Sequence, residues 1–296
     1  TPAASGPNVM DIDFDALIAN ETDSTLKDMH EYFRDRTPTE KNQYTGMFQG
    51  KNLLLFTGEA FWIGAVNEQY TPTLYKLAHS GFVFENFYNP LWYYSTVDGE
   101  YAATTGLIPT NQVNASQRYA GKNGVSMYFS MGNQLRALGY PTLAYHNNTA
   151  NYYDRNLSHP NLGYDFYACD TGLDVAMTWP QSDLEMMQLT LPQALAGEKP
   201  FHNYYMTVSG HMNYSFAGNA MSAKHRDEVA DLDMSEAARA YLACNMELDQ
   251  ALEYTIKTLE EAGELENTVI VLSGDHYPYG LDGTGAIDEL AGEIVE

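Results

Sequence analysis

Asn52-Leu53-Leu54-Leu55-Phe56-Thr57-Gly58-Glu59 is the stretch on which the reading of this chain turns. Four apolar residues in a row leave no solvated face, so Leu53 to Phe56 reads as a strand buried in a parallel sheet. Glu59 then falls just beyond the strand's C-terminal edge, where open α/β sheets bind ligands. Further along, Ser95-Thr96-Val97-Asp98-Gly99-Glu100 opens a segment with helical composition running to Leu107. A Thr96 hydroxyl at a helix start faces unpaired backbone N–H groups and the positive end of the helix dipole. That setting suits an anion such as phosphate.

Working outward, the same arrangement recurs. Thr71 as N-cap and Pro72 as first helical residue start a helix that Gly81 ends, and Phe82 to Tyr88 then reads as a second strand. Residues 126–139 form an amphipathic helix ended by Gly139, and a short strand from Pro141 to Tyr145 delivers His146. The stretch from Asn147 to Tyr167 has no clear period and reads as a structured loop with a helical turn. Ser182 to Leu195 is helical, and the strand Asn203 to Val208 runs into Ser209-Gly210-His211. A long helix from Ser235 to Gly263 carries an apolar stripe through Leu242, Leu248, Leu252 and Leu259. Thr268 to Leu272 is a β-branched strand that delivers Asp275 and His276. Strands alternating with helices predict one α/β domain with a mostly parallel central sheet flanked by helices, and a site at the strands' C-terminal edge. The predicted organisation is an N-terminal helical arm over residues 1–50, with a flexible start at Thr1 to Pro7, followed by a catalytic domain over 51–296.

Composition narrows the function. The chain has 296 residues, 44% of them hydrophobic, which is enough for a substantial core. No run of about 18 apolar residues occurs, and no signal peptide is visible. A formal net charge of −24 repels nucleic acid at long range and argues against it as a partner. An anionic substrate would therefore need a locally positive site, which a metal ion supplies. The cysteines, Cys169 and Cys244, match no metal motif and read as buried thiols.

Glu59, Asp275 and His276 form a plausible metal set. Two carboxylates and an imidazole suit Mn2+, Zn2+ or Mg2+ without selecting one. Thr96 could be a fourth ligand, and metal contact would make its hydroxyl a nucleophile. His146, Tyr153 and Arg155 form a second group, in which Arg155 could clamp a phosphate bidentately. Each residue alone has a plainer explanation: a solvated glutamate, a helix cap, a surface ion pair, a core histidine. Their joint placement at strand ends carries the reading.

Together these pieces resemble the extracellular catalytic domain of the lipoteichoic acid synthase family, within the sulfatase and alkaline phosphatase superfamily. The matching segments run in order from Asn52–Glu59 through Tyr70–Leu74, Phe82–Tyr88, Ser95–Glu100, His146–Arg155, Leu162–Asp165 and Ser209–His211 to Gly274–Tyr277. The resemblance implies a single metal site, usually manganese, at Glu59, Thr96, Asp275 and His276. It implies that Thr96 is the nucleophile that takes glycerophosphate from phosphatidylglycerol, and that His146, Tyr153, Arg155 and His211 hold the head group. His211 or His146 would move the proton. The implied partners are a phospholipid head group and a glycerol or glycan acceptor, and the implied location is the outer face of a bacterial cytoplasmic membrane. The family has a tryptophan where Tyr153 stands. Family members also carry a membrane-spanning N-terminal region and a C-terminal subdomain, so this chain is expected to be an excised soluble domain without that subdomain.

Three other readings stay open: a phosphodiesterase of the superfamily, a phosphoethanolamine transferase, and a catalytically silent lipid- or glycan-sensing domain. A formylglycine sulfatase is disfavoured, because Thr96 is followed by Asp98 and Glu100 where that chemistry needs Pro and Arg.

Overall fold

The structure is a computed structural model that describes residues 5–88 and 91–292. Residues 1–4 of the expected lead-in, and the chain end at Glu296, lie outside the described residues. Two compact units are present, Thr1–Gly50 and Lys51–Glu296. The first contains helices α1 (Phe14–Asn20) and α2 (Ser24–Arg34). Each starts on an aspartate cap. Asp13 accepts from the Ala16 N–H at 2.9 Å, and Asp23 accepts from Thr25 and Leu26 at 2.8 and 3.0 Å. Neither helix contains a buried residue, so neither contributes to a core.

The second unit is built on five strands: β1 (Asn52–Gly58), β2 (Thr142–His146), β3 (Asp165–Ala168), β4 (His202–Met206) and β5 (Thr268–Gly274). All pair in parallel, in the order β3-β2-β4-β1-β5. Its helices are α3 (Pro72–Ser80), α4 (Thr96–Thr105), α5 (Val113–Asn123), α6 (Met131–Ala137), α7 (Arg155–Asn161), α8 (Asp183–Ala196), α9 (Ala220–Lys224), α10 (Glu236–Glu261) and α11 (Ala286–Ala291).

The apolar run that opened the sequence reading lies between β4 and β5, with Leu54 and Phe56 fully buried. One face of the sheet packs against α8 and α10 through Met186, Met187, Leu191, Leu248 and Leu252. That face carries an aromatic ladder across four strands. Tyr167 stacks on Tyr145 at 5.7 Å, Tyr145 on Tyr205 at 5.3 Å, and Tyr205 on Phe56 at 5.0 Å. The strand register makes these residues direct neighbours, so each ring covers the next and the ladder holds the register. The other face buries Leu55, Ala144, Tyr204 and Met206 against Leu162 and Tyr164.

Several expectations are corrected. Phe82 to Tyr88 forms no strand, and Phe84 and Tyr88 stand 75% and 80% exposed. An apolar run becomes a strand only where a neighbouring edge offers a hydrogen-bond ladder, and the outer strands of this sheet are β3 and β5. The helix expected over 126–139 is confined to α6, because the buried Ser130 hydroxyl bonds the Leu162 carbonyl at 3.0 Å and ties the preceding turn to the loop before β3. The loop expected from Asn147 to Tyr167 contains α7 and the start of β3, a half-exposed edge strand too short to show periodicity. Thr71 is the N-cap residue of α3 and Pro72 its first helical residue, but the Thr71 side chain makes no capping bond; its hydroxyl donates to the Ala65 carbonyl at 2.7 Å. The cap comes from Asp249 on α10, which accepts from the Leu74 N–H at 2.7 Å. Cys244 is buried as expected, whereas Cys169 is only half-buried.

Candidate active site

Four strands deliver side chains to one edge of the sheet. Glu59 follows β1, His146 ends β2, the Ser209-Gly210-His211 turn follows β4, and Asp275 with His276 follows β5. Potential ligand atoms of Glu59, Asp275 and His276 all lie within 4.8 Å of one another, and all three residues are buried. The backbone pins each of them. Glu59 N–H donates to Thr207 Oγ1 at 3.0 Å. Asp275 Oδ1 accepts from the Ala60 and His276 N–H groups, each at 2.7 Å. Asp275 Oδ2 is buried with no hydrogen-bond donor among the described residues, and it lies 3.4 Å from His276 Nε2. A buried carboxylate oxygen without a donor is costly unless a cation meets it. His276 Nδ1–H donates to the Tyr277 carbonyl at 2.9 Å, which directs Nε2 into the cluster, as in histidines that bind metal. These residues fit a divalent cation.

The electrostatics agree. Burial, then the charge of Glu59, push the Asp275 carboxyl well above its ordinary range. Burial would raise Glu59 as well, but the hydrogen bond and charge of His276 outweigh it and hold Glu59 low. Burial would lower His276, yet its bond to Glu59 and the charge of Asp275 push it up to about 9. Two carboxylates this close to one another demand positive charge between them, and the imidazolium supplies it here.

Thr96 is the first residue of α4, and its hydroxyl lies 3.4 Å from both Glu59 Oε2 and His276 Nε2. Two glycines allow this approach. A Cβ on Gly99 would meet the Asp275 carbonyl oxygen at 2.1 Å, and one on Gly210 would meet the Glu59 carbonyl oxygen at 2.3 Å. Non-glycine residues with positive φ border the same edge: Ala60 at 50°, Ser95 at 37°, Tyr153 at 56° and Asp154 at 54°. Such backbone strain persists only where surrounding contacts over-determine it, and it clusters at functional sites.

Arg155 is 1% exposed and is not open as a bidentate clamp. Its Nε and Nη2 edge is taken by Glu100, which is on α4 one turn after Thr96. Its Nη1 donates to His146 Nε2 at 3.2 Å and to the Tyr152 carbonyl at 3.3 Å. His146 Nδ1–H donates to the Met206 carbonyl at 3.1 Å, so both ring nitrogens are engaged. Burial, then the charge of Arg155, push His146 down to about 3. It is neutral at physiological pH and has no free nitrogen with which to move a proton, which corrects one of the two expected shuttles. His211 differs: its Nδ1–H donates to the Met212 carbonyl at 2.6 Å, and Nε2 makes no hydrogen bond among the described residues. Tyr153 lies over the Arg155 guanidinium, 5.3 Å from carbon to ring centre.

Sequence reasoning passed over three supports. Glu100 was legible only as a residue one helical turn beyond Thr96. Asp183, at the start of α8, accepts from the Val208 and Ser209 N–H groups, the Ser209 hydroxyl and the Asn147 amide. It thereby ties the turn before His211 to the residue after His146. Trp179 packs edge-on against His211 at 4.8 Å. Neither Asp183 nor Trp179 sits at a strand end, so no local pattern marks either of them.

A family model described as Sulfatase matches residues 51–292. Among curated proteins, the chain is similar to the lipoteichoic acid synthase-like protein YvgJ of Bacillus subtilis, at 23% identity over 257 residues, 84% of this chain and 40% of that protein. It is also similar to the lipoteichoic acid synthase of Staphylococcus saprophyticus, at 25% identity over 291 residues, 94% of this chain and 43% of that one. The chain thus spans about two fifths of the length of these curated relatives. Among solved structures, the lipoteichoic acid synthase LtaP from Listeria monocytogenes superposes with a TM-score of 0.66 at 21% identity, covering 89% of this chain and 61% of that one. The parallel sheet and its flanking helices are those of the alkaline phosphatase and sulfatase fold.

Proposed function

This chain belongs to the sulfatase family, and from that premise we propose that it is a metal-dependent phosphotransferase of the lipoteichoic acid synthase kind. It moves glycerophosphate from phosphatidylglycerol to an acceptor hydroxyl. The observation that carries this reading is the Thr96 hydroxyl 3.4 Å from both Glu59 and His276, beside a buried set of three potential metal ligands. A divalent cation held there, Mn2+ in this reading, would supply a Lewis acid next to that hydroxyl.

The chain's own residues account for the rest. Thr96 Oγ1 forms a bond to the donor phosphorus, and the bond from phosphorus to the diacylglycerol oxygen breaks. The Thr96 hydroxyl proton passes to His211 Nε2, which makes no hydrogen bond among the described residues, and His211 delivers it to that oxygen, which leaves as an alcohol. The acceptor hydroxyl then attacks the Thr96 phosphodiester and gives its proton to His211 Nε2, which returns it to Thr96 Oγ1 as the bond from that oxygen to phosphorus breaks. Arg155 helps to keep Glu59 ionised, so its charge reaches this edge of the sheet and stabilises the negative charge that develops on the phosphoryl oxygens. Tyr153 and His146 complete the wall for the head group. No helix of the described residues is long and apolar enough to cross a membrane. In this reading the domain works at the outer face of a bacterial membrane.

Intact-protein mass after incubation with Mn2+ and phosphatidylglycerol tests the reading, comparing the parent with Thr96→Ala. A glycerophosphate adduct on the parent alone is expected. An adduct of equal size on both proteins would overturn the nucleophile. Absence of adduct, together with absence of diacylglycerol release, would overturn the transferase.

A further inference from the structure

Glu100 takes no part in the steps above, yet it is among the most tightly held carboxylates in the molecule. It is 3% exposed and bonds the Arg155 guanidinium through both oxygens. His159 Nε2 lies 3.5 Å from its second oxygen. Burial would raise its pKa, but the charge of Arg155, the nearby His159 imidazole and the bonds from Arg155 hold it well below the ordinary carboxylate range. From Glu100 the contacts run on without a gap: Arg155 to His146 at the end of β2, then His146 to the Met206 carbonyl at the end of β4. Glu100 and Thr96 share one helix and are one turn apart.

We propose that Glu100 is a positioning residue, which fixes Arg155 and, through it, His146 in register with the Thr96 hydroxyl. This inference rests on the functional reading above. Arg155 has a long, flexible stem, and its planar fork is held in one orientation only when a second plane of acceptors faces it. With Glu100 in place, Nη1 is directed at His146 and the side chain stays at the sheet edge. Without it, the guanidinium would be drawn toward Glu59, whose ionised form its charge already favours, and compete with the cation for that carboxylate.

A cycle of four proteins tests this: the parent, Glu100→Gln, Arg155→Met and the double variant. Each is loaded with Mn2+, titrated with inorganic phosphate by calorimetry, and assayed for release of diacylglycerol from phosphatidylglycerol. If Glu100 acts through Arg155, Glu100→Gln weakens phosphate binding and lowers kcat/KM about 100-fold in the parent background, and has little effect in the Arg155→Met background. Glu100→Asp recovers part of the loss. The double variant removes both buried charges, so it regains the melting temperature that Glu100→Gln loses without regaining phosphate affinity.

Equal effects of Glu100→Gln in both backgrounds would overturn the proposal, as would a double variant that recovers stability and phosphate binding together. A parent that binds phosphate with the predicted coupling but releases no diacylglycerol would overturn the functional reading and leave the positioning role standing. Turnover with additive effects would do the reverse.

Discussion

Gly99→Ala separates packing from helix propensity. In an ordinary helix interior, alanine for glycine stabilises by about 1 kcal/mol. Here the added Cβ would lie 2.1 Å from the Asp275 carbonyl oxygen and 2.6 Å from its carbonyl carbon and Cα. Ordinary contact begins near 3.4 Å, so α4 and the end of β5 must part by more than 1 Å. Asp275 cannot give way easily, because its N–H donates to the Gly58 carbonyl at 3.2 Å and its carboxylate is bonded twice. The helix therefore moves and carries Thr96 with it. Overpacking of this kind costs about 1–3 kcal/mol, which outweighs the propensity gain. A displacement of about 1 Å at a nucleophile costs on the order of 100-fold in rate. Urea denaturation and donor turnover should therefore both fall in Gly99→Ala. Gly106→Ala is the control: it stands on the same helix's C-terminal side with φ of +70° and no atom within 4 Å of its added Cβ, so it should lose stability and keep its rate. A Gly99→Ala protein that is more stable than the parent and equally fast would refute the close approach.

Other outcomes follow from buried charge. Burial would raise Glu247, but bonds from His225, Lys224 and Ser182 hold it down to about 2 against an ordinary 4.5. Its stabilisation, about 2 kcal/mol after allowing for the exposure of Lys224, is therefore present above pH 4.5 and lost as pH falls toward 2. Denaturation curves of the parent and Glu247→Gln should converge in that window. Asp183 runs the other way: burial outweighs its bonds to Ser209, Val208 and Asn147 and pushes it up to about 6 from 3.8. Its contribution is full below pH 3.8 and lost as pH rises through 6, so parent stability should decline by about 3 kcal/mol across that range relative to Asp183→Asn. Mn2+ at 100 times its Kd should stabilise the parent by about 2.7 kcal/mol in a thermal melt. Asp275→Asn should abolish most of that gain, and an unchanged melting temperature in the parent would refute the metal set.

The chain's own pattern carried much of this. Leu53 to Phe56 and Thr268 to Leu272 announced buried parallel strands, and the polar residue after each strand marked the edge that matters. Glu59, Asp275 and His276 were legible because each follows directly on a strand, and Thr96 because it opens a helix. The same logic failed at Phe82 to Tyr88, where apolar composition implied a strand that the sheet does not contain. It also failed at Arg155, read as an open clamp and found committed to Glu100.

Burial on both faces, helix starts and strand ends are properties of a few consecutive residues, and the sequence by itself determined them. The tertiary structure alone decided which partners those residues take. Glu100 meets Arg155 across 55 positions, and Asp249 caps α3 across 175. The Gly99 backbone lies against Asp275 only because α4 crosses the end of β5. Each side chain offers the same donors and acceptors wherever the chain goes, and only packing brings one particular pair within hydrogen-bond reach while excluding the rest.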